Sequence, residues 1–214
     1  STRIIANIGG IANITVLDPQ LGSEVLGYDT GPGNTLMDQW ILAELGESFD
    51  RNGKWASSAP DWDATLLQIL LEEPYFALNY PKSTGPDYFN LDWLYSMASN
   101  ALEPLSKNIV QRTLCELTAR SVSDAITKHA DTEGQVLVCG GGAHNDLLMS
   151  RLTELLPRLD VLATDAYGLP ADWVEATGFA WLGWCYDSNT TSNLPSVTGA
   201  RKAVVLGEVF EPEL

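Results

Sequence analysis

The sequence predicts an α/β fold with an antiparallel strand pair at its start. Two observations support this class: short apolar segments separated by glycines open the chain, and strand-like and helix-like segments alternate through its second half. A chain of 214 residues, 45% of them hydrophobic, is long enough to bury a substantial core between a sheet and its helices. This length fits one large domain or two small ones.

The first thirty residues predict three short strands. The apolar segments cover residues 3–8, 12–17 and 24–28, and the pair Gly9-Gly10 between the first two predicts a tight turn. Strands joined by such a turn run antiparallel, so the front of the sheet is expected to begin with a hairpin.

A change of period follows the third strand. After Gly33 the apolar residues lie one helical turn apart, and Asn34 is placed to cap the start of this helix. A second helix is predicted over residues 61–73. The segment 74–91 is rich in Pro, Tyr, Asn and Gly, which predicts a long loop, and long loops in compact domains are commonly functional.

The second half of the chain alternates strands and helices. Its last helix is rich in tryptophan, and we predict that the aromatic residues of this helix lie in the core. The predicted elements are, in order, a helix over 104–129, a strand over 135–139, a helix bearing Leu147 to Leu155, a strand over 160–163, the tryptophan-rich helix over 172–186, an exposed loop over 189–200 and an edge strand over 203–206.

The chain is strongly acidic, with 12 Lys+Arg against 28 Asp+Glu and a formal net charge of −16. Such a charge repels phosphate backbones and anionic lipids, so we predict no nucleic-acid partner and no membrane partner. No apolar stretch is long enough for a membrane span and the first residues do not match a signal peptide, so a cytoplasmic location is expected.

The cysteines and histidines give no metal signature. Cys115, Cys139 and Cys185 lie among apolar neighbours, which predicts reduced thiols in the core rather than a disulfide framework. The only histidines are His129 and His144, and no Cys-x-x-Cys pair occurs, so the spacing excludes an ordinary zinc site. No metal-ligating residue is therefore assigned.

Three glycine clusters are the strongest functional signals, and each follows an apolar strand. They cover residues 7–13, 29–34 and 140–145. Open α/β sheets bind ligands at the ends of strands, and glycine lets backbone N–H groups approach a phosphate closely. Three clusters together favour a nucleotide site over the alternative of three plain turns. The Walker A and Gly-x-Gly-x-x-Gly patterns are both absent.

Asp29 is the most informative single residue. It is predicted to end a strand and enter a glycine turn, where a carboxylate accepts a proton from a hydroxyl or water, or holds magnesium through water. The alternative is a cap for the following turn. Glu175, early in the tryptophan-rich helix, faces either solvent or a polar site. Lys82 is either a contact for an acidic ligand or a surface lysine.

Five strings carry a resemblance to one family, and they occur in the order NIGGIANIT, GYDTGPGN, YPKSTGPDYFN, VCGGGAHN and PADWVEATGFAWLG. Together they resemble the anhydro-N-acetylmuramic acid kinases of the actin/sugar kinase/Hsp70 superfamily. The resemblance implies a ribonuclease H-like, actin-like ATPase domain whose mixed sheet is flanked by helices. It also implies that ATP and water convert 1,6-anhydro-N-acetylmuramic acid into N-acetylmuramic acid 6-phosphate, a step of peptidoglycan recycling.

The same resemblance implies roles for individual residues. Asp29 is expected to be the general base that activates water, and Mg2+ is expected to bridge the phosphates of ATP. A homodimer is also expected. The implied ligand contacts are Gly9, Gly10 and Asn13 in a phosphate loop, Gly140, Gly141, Gly142 and Asn145 on the adenosine side, and Glu175, Gly31 and Asn34 on the sugar side.

The resemblance also implies what this stretch of sequence lacks. Members of the family carry an N-terminal region with a first phosphate loop, so residues 1–214 resemble a C-terminal portion, and full activity is expected to need that region. Residues 47–100 are predicted to be an inserted or lid-like subregion, and Pro86-Asp87 stand where the family more often has Arg-Glu. Two alternatives stay open: a non-catalytic ligand-binding or oligomerisation fragment of the same scaffold, and another sugar kinase of the superfamily.

Overall fold

A mixed sheet forms the centre of the computed structural model, which describes residues 2–21, 24–130 and 132–210. Its strands are β1 (Thr2–Ile8), β2 (Ile11–Leu17), β3 (Leu26–Pro32), β4 (Gly134–Cys139) and β5 (Asp160–Ala163). Within the described residues the strand order is β3-β2-β1-β4-β5. Strand β2 runs antiparallel to both β1 and β3, whereas β1, β4 and β5 run parallel to one another. The predicted α/β class with an antiparallel front is confirmed.

Helices flank this sheet. In chain order they are α1 (Thr35–Leu45), α2 (Lys54–Ser57), α3 (Ala64–Leu71), α4 (Pro74–Ala77), α5 (Leu91–Leu102), α6 (Lys107–Thr127), α7 (Asp146–Leu155), α8 (Val174–Asp187) and α9 (Pro195–Thr198). Helices α4 and α5 were not predicted, because α4 lies within the predicted loop 74–91 and α5 follows it. The described residues include no helix that is both long and apolar enough to cross a membrane.

The core lies on one face of the front strands. Along β1, Ile4, Ala6 and Ile8 point inwards and are fully buried, whereas the residues between them are half-buried or exposed. The buried helix α6 contacts β2 and β3 on this inner face. Since side chains alternate along a strand, the outer face of the same three strands stays accessible for polar residues.

Residues 47–100 contribute to this same core. Leu66 and Leu70 on α3 and Phe89, Trp93 and Leu94 at the start of α5 are buried in the main hydrophobic cluster. Helices α3 and α5 pack on each other, and α3 also packs on α6. The inserted or lid-like character of residues 47–100 stays a prediction.

Two predictions at the front of the sheet were wrong. Strand β3 begins at Leu26 and continues to Pro32, so Asp29 lies within a strand rather than at its end. Asn34 stands at the start of α1, but its side chain makes no capping bond and donates instead to the carbonyl of Ile8 at 3.1 Å. The backbone carbonyls of Gly9 and Gly10 accept from the amides of Gly33, Asn34 and Thr35, which holds the start of α1 against the hairpin turn.

The second half differs from the predictions in three places. No strand forms over residues 203–206 in the described segment 132–210. The predicted exposed loop 189–200 contains the short helix α9, which contacts β3. The aromatic residues of α8 are exposed rather than in the core, and Phe179 and Trp184 expose 73% and 60% of their surface. Within α8 only Cys185 is buried. The predicted burial of Cys115, Cys139 and Cys185 is confirmed.

A buried ion pair joins α6 to α7. The side chain of Glu116 is 1% exposed, and its two carboxylate oxygens accept from Nε of Arg151 at 2.7 Å and from Nη2 at 3.1 Å. Arg120 binds the same carboxylate at 2.8 Å, and Arg151 also pairs with Glu154. Removing Arg151 therefore leaves a buried charge that is only partly compensated.

We predict that Arg151→Met lowers the free energy of unfolding by about 3 kcal/mol, because Glu116 stays buried with Arg120 as its remaining cation. Urea unfolding of this chain measures the loss. Arg201→Met, a change at an exposed residue, is the matched control and should leave the midpoint almost unchanged. Equal losses in the two variants would contradict the assignment of this pair as a stabilising contact between α6 and α7.

Candidate active site

A row of polar residues crosses the outer face of the front strands. The register pairs Asn7 on β1 with Asn13 on β2, and Asn13 with Asp29 on β3. Residues that lie directly opposite each other on neighbouring strands point to the same face. All three side chains are partly buried, while their neighbours along the strands point into the core. The predicted site residues Asn13 and Asp29 therefore lie side by side.

Asn7 extends this row to Glu175. Its Nδ2 donates to Oε1 of Glu175, in the first turn of α8, at 3.3 Å. Its Oδ1 is buried and accepts no hydrogen bond in the described structure. Asn7 was not among the predicted site residues. The signal that could have found it is the spacing of the hairpin, because Asn7 and Asn13 lie on opposite sides of the Gly9-Gly10 turn.

The loop before α5 holds Asp29 in place. Ser83 Oγ and Thr84 N both donate to Oδ2 of Asp29, at 2.9 Å and 3.0 Å. The backbone N–H of Asp29 donates to the carbonyl of Lys82 at 3.3 Å, and the hydroxyl of Tyr75 donates to the carbonyl of Asp29 at 2.8 Å. The alternative role of Asp29 as a cap for the following turn has no support, because its carboxylate binds this distant loop.

A cavity of about 380 Å³ opens beside Asp29. Asn13, Asp29 and Ser83 contribute to one side of it, and residues 197–199 contribute to the other. Its volume lies within the range of roughly 300–1,000 Å³ that is usual for small-molecule sites. The residues 189–200, predicted as an exposed loop, thus supply part of the cavity wall next to the carboxylate.

Lys82 is engaged within the protein. Its Nζ donates to the carbonyl of Tyr75 at 3.1 Å and lies 4.4 Å from the centre of the Tyr75 ring. Burial, with the nearby Lys128 as a smaller cause, lowers the pKa of the Lys82 ammonium. These contacts fix the loop against Tyr75, so Lys82 is not a free surface lysine. Because Lys82 also lines the cavity beside Asp29, its contact to an acidic ligand stays a prediction.

The first two glycine clusters pack directly on each other. Gly33 N and Thr35 N donate to the carbonyl of Gly10 at 2.9 Å and 3.0 Å, and Asn34 N donates to that of Gly9 at 2.8 Å. A Cβ at Gly33 would overlap the carbonyl oxygen of Gly9. Glycine at this position therefore lets the hairpin turn close over the first amides of α1. Gly31 lies beneath the ring of Phe76.

The third cluster closes over the end of β1. Gly140 has a φ of +77°, and a Cβ there would lie 2.6 Å from Oδ1 of Asn7 and 2.9 Å from the carbonyl oxygen of Ile8. Only glycine fits this position without strain. Gly141 and Gly142 continue into a short turn, and Asn145 ends it by capping α7, accepting from Leu148 N at 3.1 Å.

A second cavity of about 510 Å³ lies beside this third cluster. Gly141, His144, Asn145 and Asn34 contribute to its wall, together with Asp38 and the segment 48–52. Burial and the neighbouring carboxylate of Asp50 raise the pKa of Asp38 to about 6. His144 Nε2 lies 2.8 Å from Oδ1 of Asp172, which ties the cluster to the turn before α8. The structure thus places Asn34 with the predicted adenosine-side residues.

The fold is of the actin-like ATPase type. The activator of the 2-hydroxyisocaproyl-CoA dehydratase from Clostridium difficile, solved with bound ADPNP, has a similar fold, with a TM-score of 0.54 and 14% sequence identity. The similarity covers 91% of this chain and 65% of that chain. A profile of the anhydro-N-acetylmuramic acid kinase family matches residues 1–212, and the chain belongs to this family.

Individual relatives agree with this membership. The anhydro-N-acetylmuramic acid kinase of Shewanella denitrificans is 49% identical over 96% of this chain and 54% of its own length. The corresponding enzyme of Pasteurella multocida is 48% identical over 98% of this chain and 55% of its own length. The chain therefore spans about half the length of the curated relatives that it matches.

We predict that Gly140→Ala lowers the free energy of unfolding by more than about 1 kcal/mol, because the new Cβ meets Asn7 and Ile8 at a positive φ. Gly178→Ala is the matched control, since α8 leaves open space around Gly178 and alanine favours a helix. Thermal unfolding should therefore show a lower Tm for the first variant and an equal or higher Tm for the second. An unchanged Tm for Gly140→Ala would show that the turn relaxes freely.

Proposed function

We propose that this chain carries the base-bearing part of a kinase that uses ATP and water to convert 1,6-anhydro-N-acetylmuramic acid into N-acetylmuramic acid 6-phosphate, in the recycling of peptidoglycan. Membership of the family supports the reaction class. The observation that carries the proposal is the fixed carboxylate of Asp29, which lines a cavity of small-molecule size on the outer face of the sheet.

Asp29 is the general base in this proposal. It removes a proton from a water molecule as the oxygen of that water bonds to the anomeric carbon of the sugar. The bond from this carbon to O6 breaks, and O6 takes the γ-phosphoryl group of ATP, the second substrate, whose bond to the β,γ-bridging oxygen breaks so that ADP leaves. A carboxylate held by Ser83 and Thr84 suits this role, since the step depends on the alignment of base, water and carbon.

The polar row supplies the remaining sugar contacts. Asn13 lies between Asp29 and Asn7, and Glu175 is bonded to Asn7. Amide and carboxylate groups at this spacing are able to bind the hydroxyl and acetamido groups of an amino sugar. Gly31 and Asn34, assigned to the sugar from the resemblance, lie beneath Phe76 and beside the second cavity, respectively.

ATP is proposed to bind with its base in the second cavity. The cavity adjoins Gly141 and Asn145, and the glycine turns at residues 9–10 and 140–142 flank the end of β1. The residues fit Mg2+ in one respect: Oδ1 of Asn7 is a buried oxygen without a hydrogen-bond donor in the described structure. Asn7 would hold the hydrated ion through this oxygen, and the ion would neutralise phosphate charge during transfer. The cytoplasmic location and the homodimer stay predictions.

One observation favours a second candidate, a binding or oligomerisation module. Helix α8 exposes Phe179, Trp181 and Trp184 next to the polar row, and Trp173, directly before this helix, is exposed as well. Exposed aromatic surface of this extent is typical of an interface. An assay of sugar-dependent ADP release distinguishes this candidate from the kinase, because only the kinase releases ADP in response to the sugar.

We predict that Asp29→Asn lowers kcat by a factor of about 10² to 10⁴ and changes KM little, because the amide keeps the shape of the carboxylate but cannot accept the proton. The assay is sugar-dependent ADP release by a polypeptide that contains these residues and has the full length of the curated relatives. Asp160→Asn is the matched control, an exposed carboxylate on β5 outside both cavities. Retention of full turnover by Asp29→Asn would refute the base assignment.

A further inference from the structure

We propose that Ser83 is a positioning residue, which fixes the Asp29 carboxylate so that Oδ1, and not Oδ2, takes the proton from water. This inference rests on the proposed function and deepens it by assigning a role to each oxygen of the base. Neither the family resemblance nor the glycine motifs give Ser83 a role. Three features of the geometry around Asp29 support this role.

The first feature is that two donors bind the same oxygen of the Asp29 carboxylate. Ser83 Oγ at 2.9 Å and Thr84 N at 3.0 Å both bind Oδ2 of Asp29. Within the described residues, Oδ1 accepts no hydrogen bond, although Asp29 lines the 380 Å³ cavity. The two oxygens are therefore not equivalent: Oδ2 is occupied by the protein, and Oδ1 keeps its lone pairs for a ligand.

The second feature is the fixed orientation of the Asp29 carboxylate plane. The backbone of Asp29 is fixed by the sheet and by its bond to the carbonyl of Lys82. With the backbone fixed, the donors on Oδ2 select one side-chain rotamer and one rotation of the carboxylate. Bonds of this kind to a charged acceptor are stronger than those between neutral groups, so they hold the orientation against thermal motion.

The third feature is the set of hydrogen bonds that hold the loop carrying Ser83. Glu73, 4% exposed, accepts from the Tyr88 hydroxyl at 2.6 Å, from Trp93 Nε1 at 2.8 Å and from Tyr75 N at 3.1 Å. Tyr75 in turn binds the carbonyl of Asp29 with its hydroxyl and the ammonium of Lys82 with its carbonyl. Lys82, before Ser83, is thus bonded to Tyr75, and Tyr88, after it, is bonded to Glu73. The loop is therefore held on both sides of Ser83.

The charge of Glu73 supports this arrangement. Burial raises the pKa of the Glu73 carboxyl, but the hydrogen bonds from Tyr88, Trp93 and Tyr75 lower it by more, and the net pKa lies below its ordinary value. Glu73 therefore stays an ionised acceptor at neutral pH and keeps all three donors. The loop is a preorganised support for the base rather than a flexible cover.

The test compares hydroxyl variants at two positions of a polypeptide with the full length of the curated relatives. Ser83→Ala removes one donor to Oδ2. Ser99→Ala is the matched control, because Ser99 is exposed on α5, lies outside both cavities and donates its hydroxyl to the carbonyl of Tyr95. We expect Ser83→Ala to lower kcat about tenfold to a hundredfold at unchanged KM, the effect of losing one hydrogen bond to a charged group. Ser99→Ala should keep kcat.

Conservative variants at Ser83 distinguish a role in positioning Asp29 from a role in packing. Ser83→Thr keeps the hydroxyl and should restore most of the turnover, whereas Ser83→Cys keeps the size but offers a weak donor and should fall between serine and alanine. Thermal unfolding of each variant should show a Tm close to that of the unchanged protein, because Ser83 is exposed. A purely structural role would instead lower the Tm and would not follow donor strength.

Two outcomes overturn the inference. Equal kcat for Ser83→Ala and Ser99→Ala would show that the hydroxyl does not position the base, and equal losses in Ser83→Ala and Ser83→Thr would show that the donor is irrelevant. Asp29→Asn, measured beside them, distinguishes this failure from that of the proposed function. If Asp29→Asn retains turnover, the base assignment itself fails; if it loses turnover while Ser83→Ala does not, only the positioning role fails.

Discussion

The pairing of β1, β2 and β3 is the constraint on which the site depends. Because side chains alternate along each strand, one register buries Ile4, Ala6 and Ile8 against the core and turns Asn7 outwards. The same register carries Asn13 and Asp29 to the outer face. A shift by one residue would place a carboxylate in the core and aliphatic residues in the cavity. The hydrophobic core therefore specifies the polar row.

The glycine turns act on this sheet as close packing contacts. The carbonyls of Gly9 and Gly10 accept from the backbone amides of Gly33, Asn34 and Thr35 where the chain enters α1, and Gly33 makes room for that approach. Gly140 brings β4 to the side chain of Asn7. Each turn thus connects the sheet to a neighbouring element before any ligand is considered. The structural and the ligand-binding interpretations of glycine clusters are compatible, because the same short approach that packs two backbones also admits a phosphate.

Local periodicity predicted much of the fold. The hairpin, the parallel strand before the third glycine cluster and the long helix α6 each carry their pattern within a few neighbouring residues. Helix α5 was not predicted because the Pro- and Gly-rich segment before it is typical of a loop. Its start nevertheless carries a capping residue, since Asn90 accepts from Trp93 N at 2.9 Å. The burial of α8 was predicted wrongly because an apolar composition does not state what covers a helix.

The candidate site was predictable in part for the same reason. Asp29 and Asn13 were predicted from the glycine motifs that contain them. The bond between Glu175 and Asn7 was not predicted, because it joins residues far apart in the chain. The support from Ser83 and Thr84 depends on how the loop 74–90 folds back across β3, which no spacing in the sequence reveals. Sequence patterns identify candidate groups, whereas the tertiary contacts decide which oxygen of a carboxylate is free to react.

The most direct measurement is a crystal structure of a polypeptide of the relatives' full length, containing these residues, with 1,6-anhydro-N-acetylmuramic acid and a non-hydrolysable ATP analogue. The account predicts that the sugar occupies the cavity beside Asp29, with one water between its anomeric carbon and Oδ1, while Ser83 and Thr84 bind Oδ2. The base of the nucleotide should lie beside Gly141 and Asn145. A sugar bound away from Asp29, or a carboxylate that turns Oδ2 towards the water, would contradict the account.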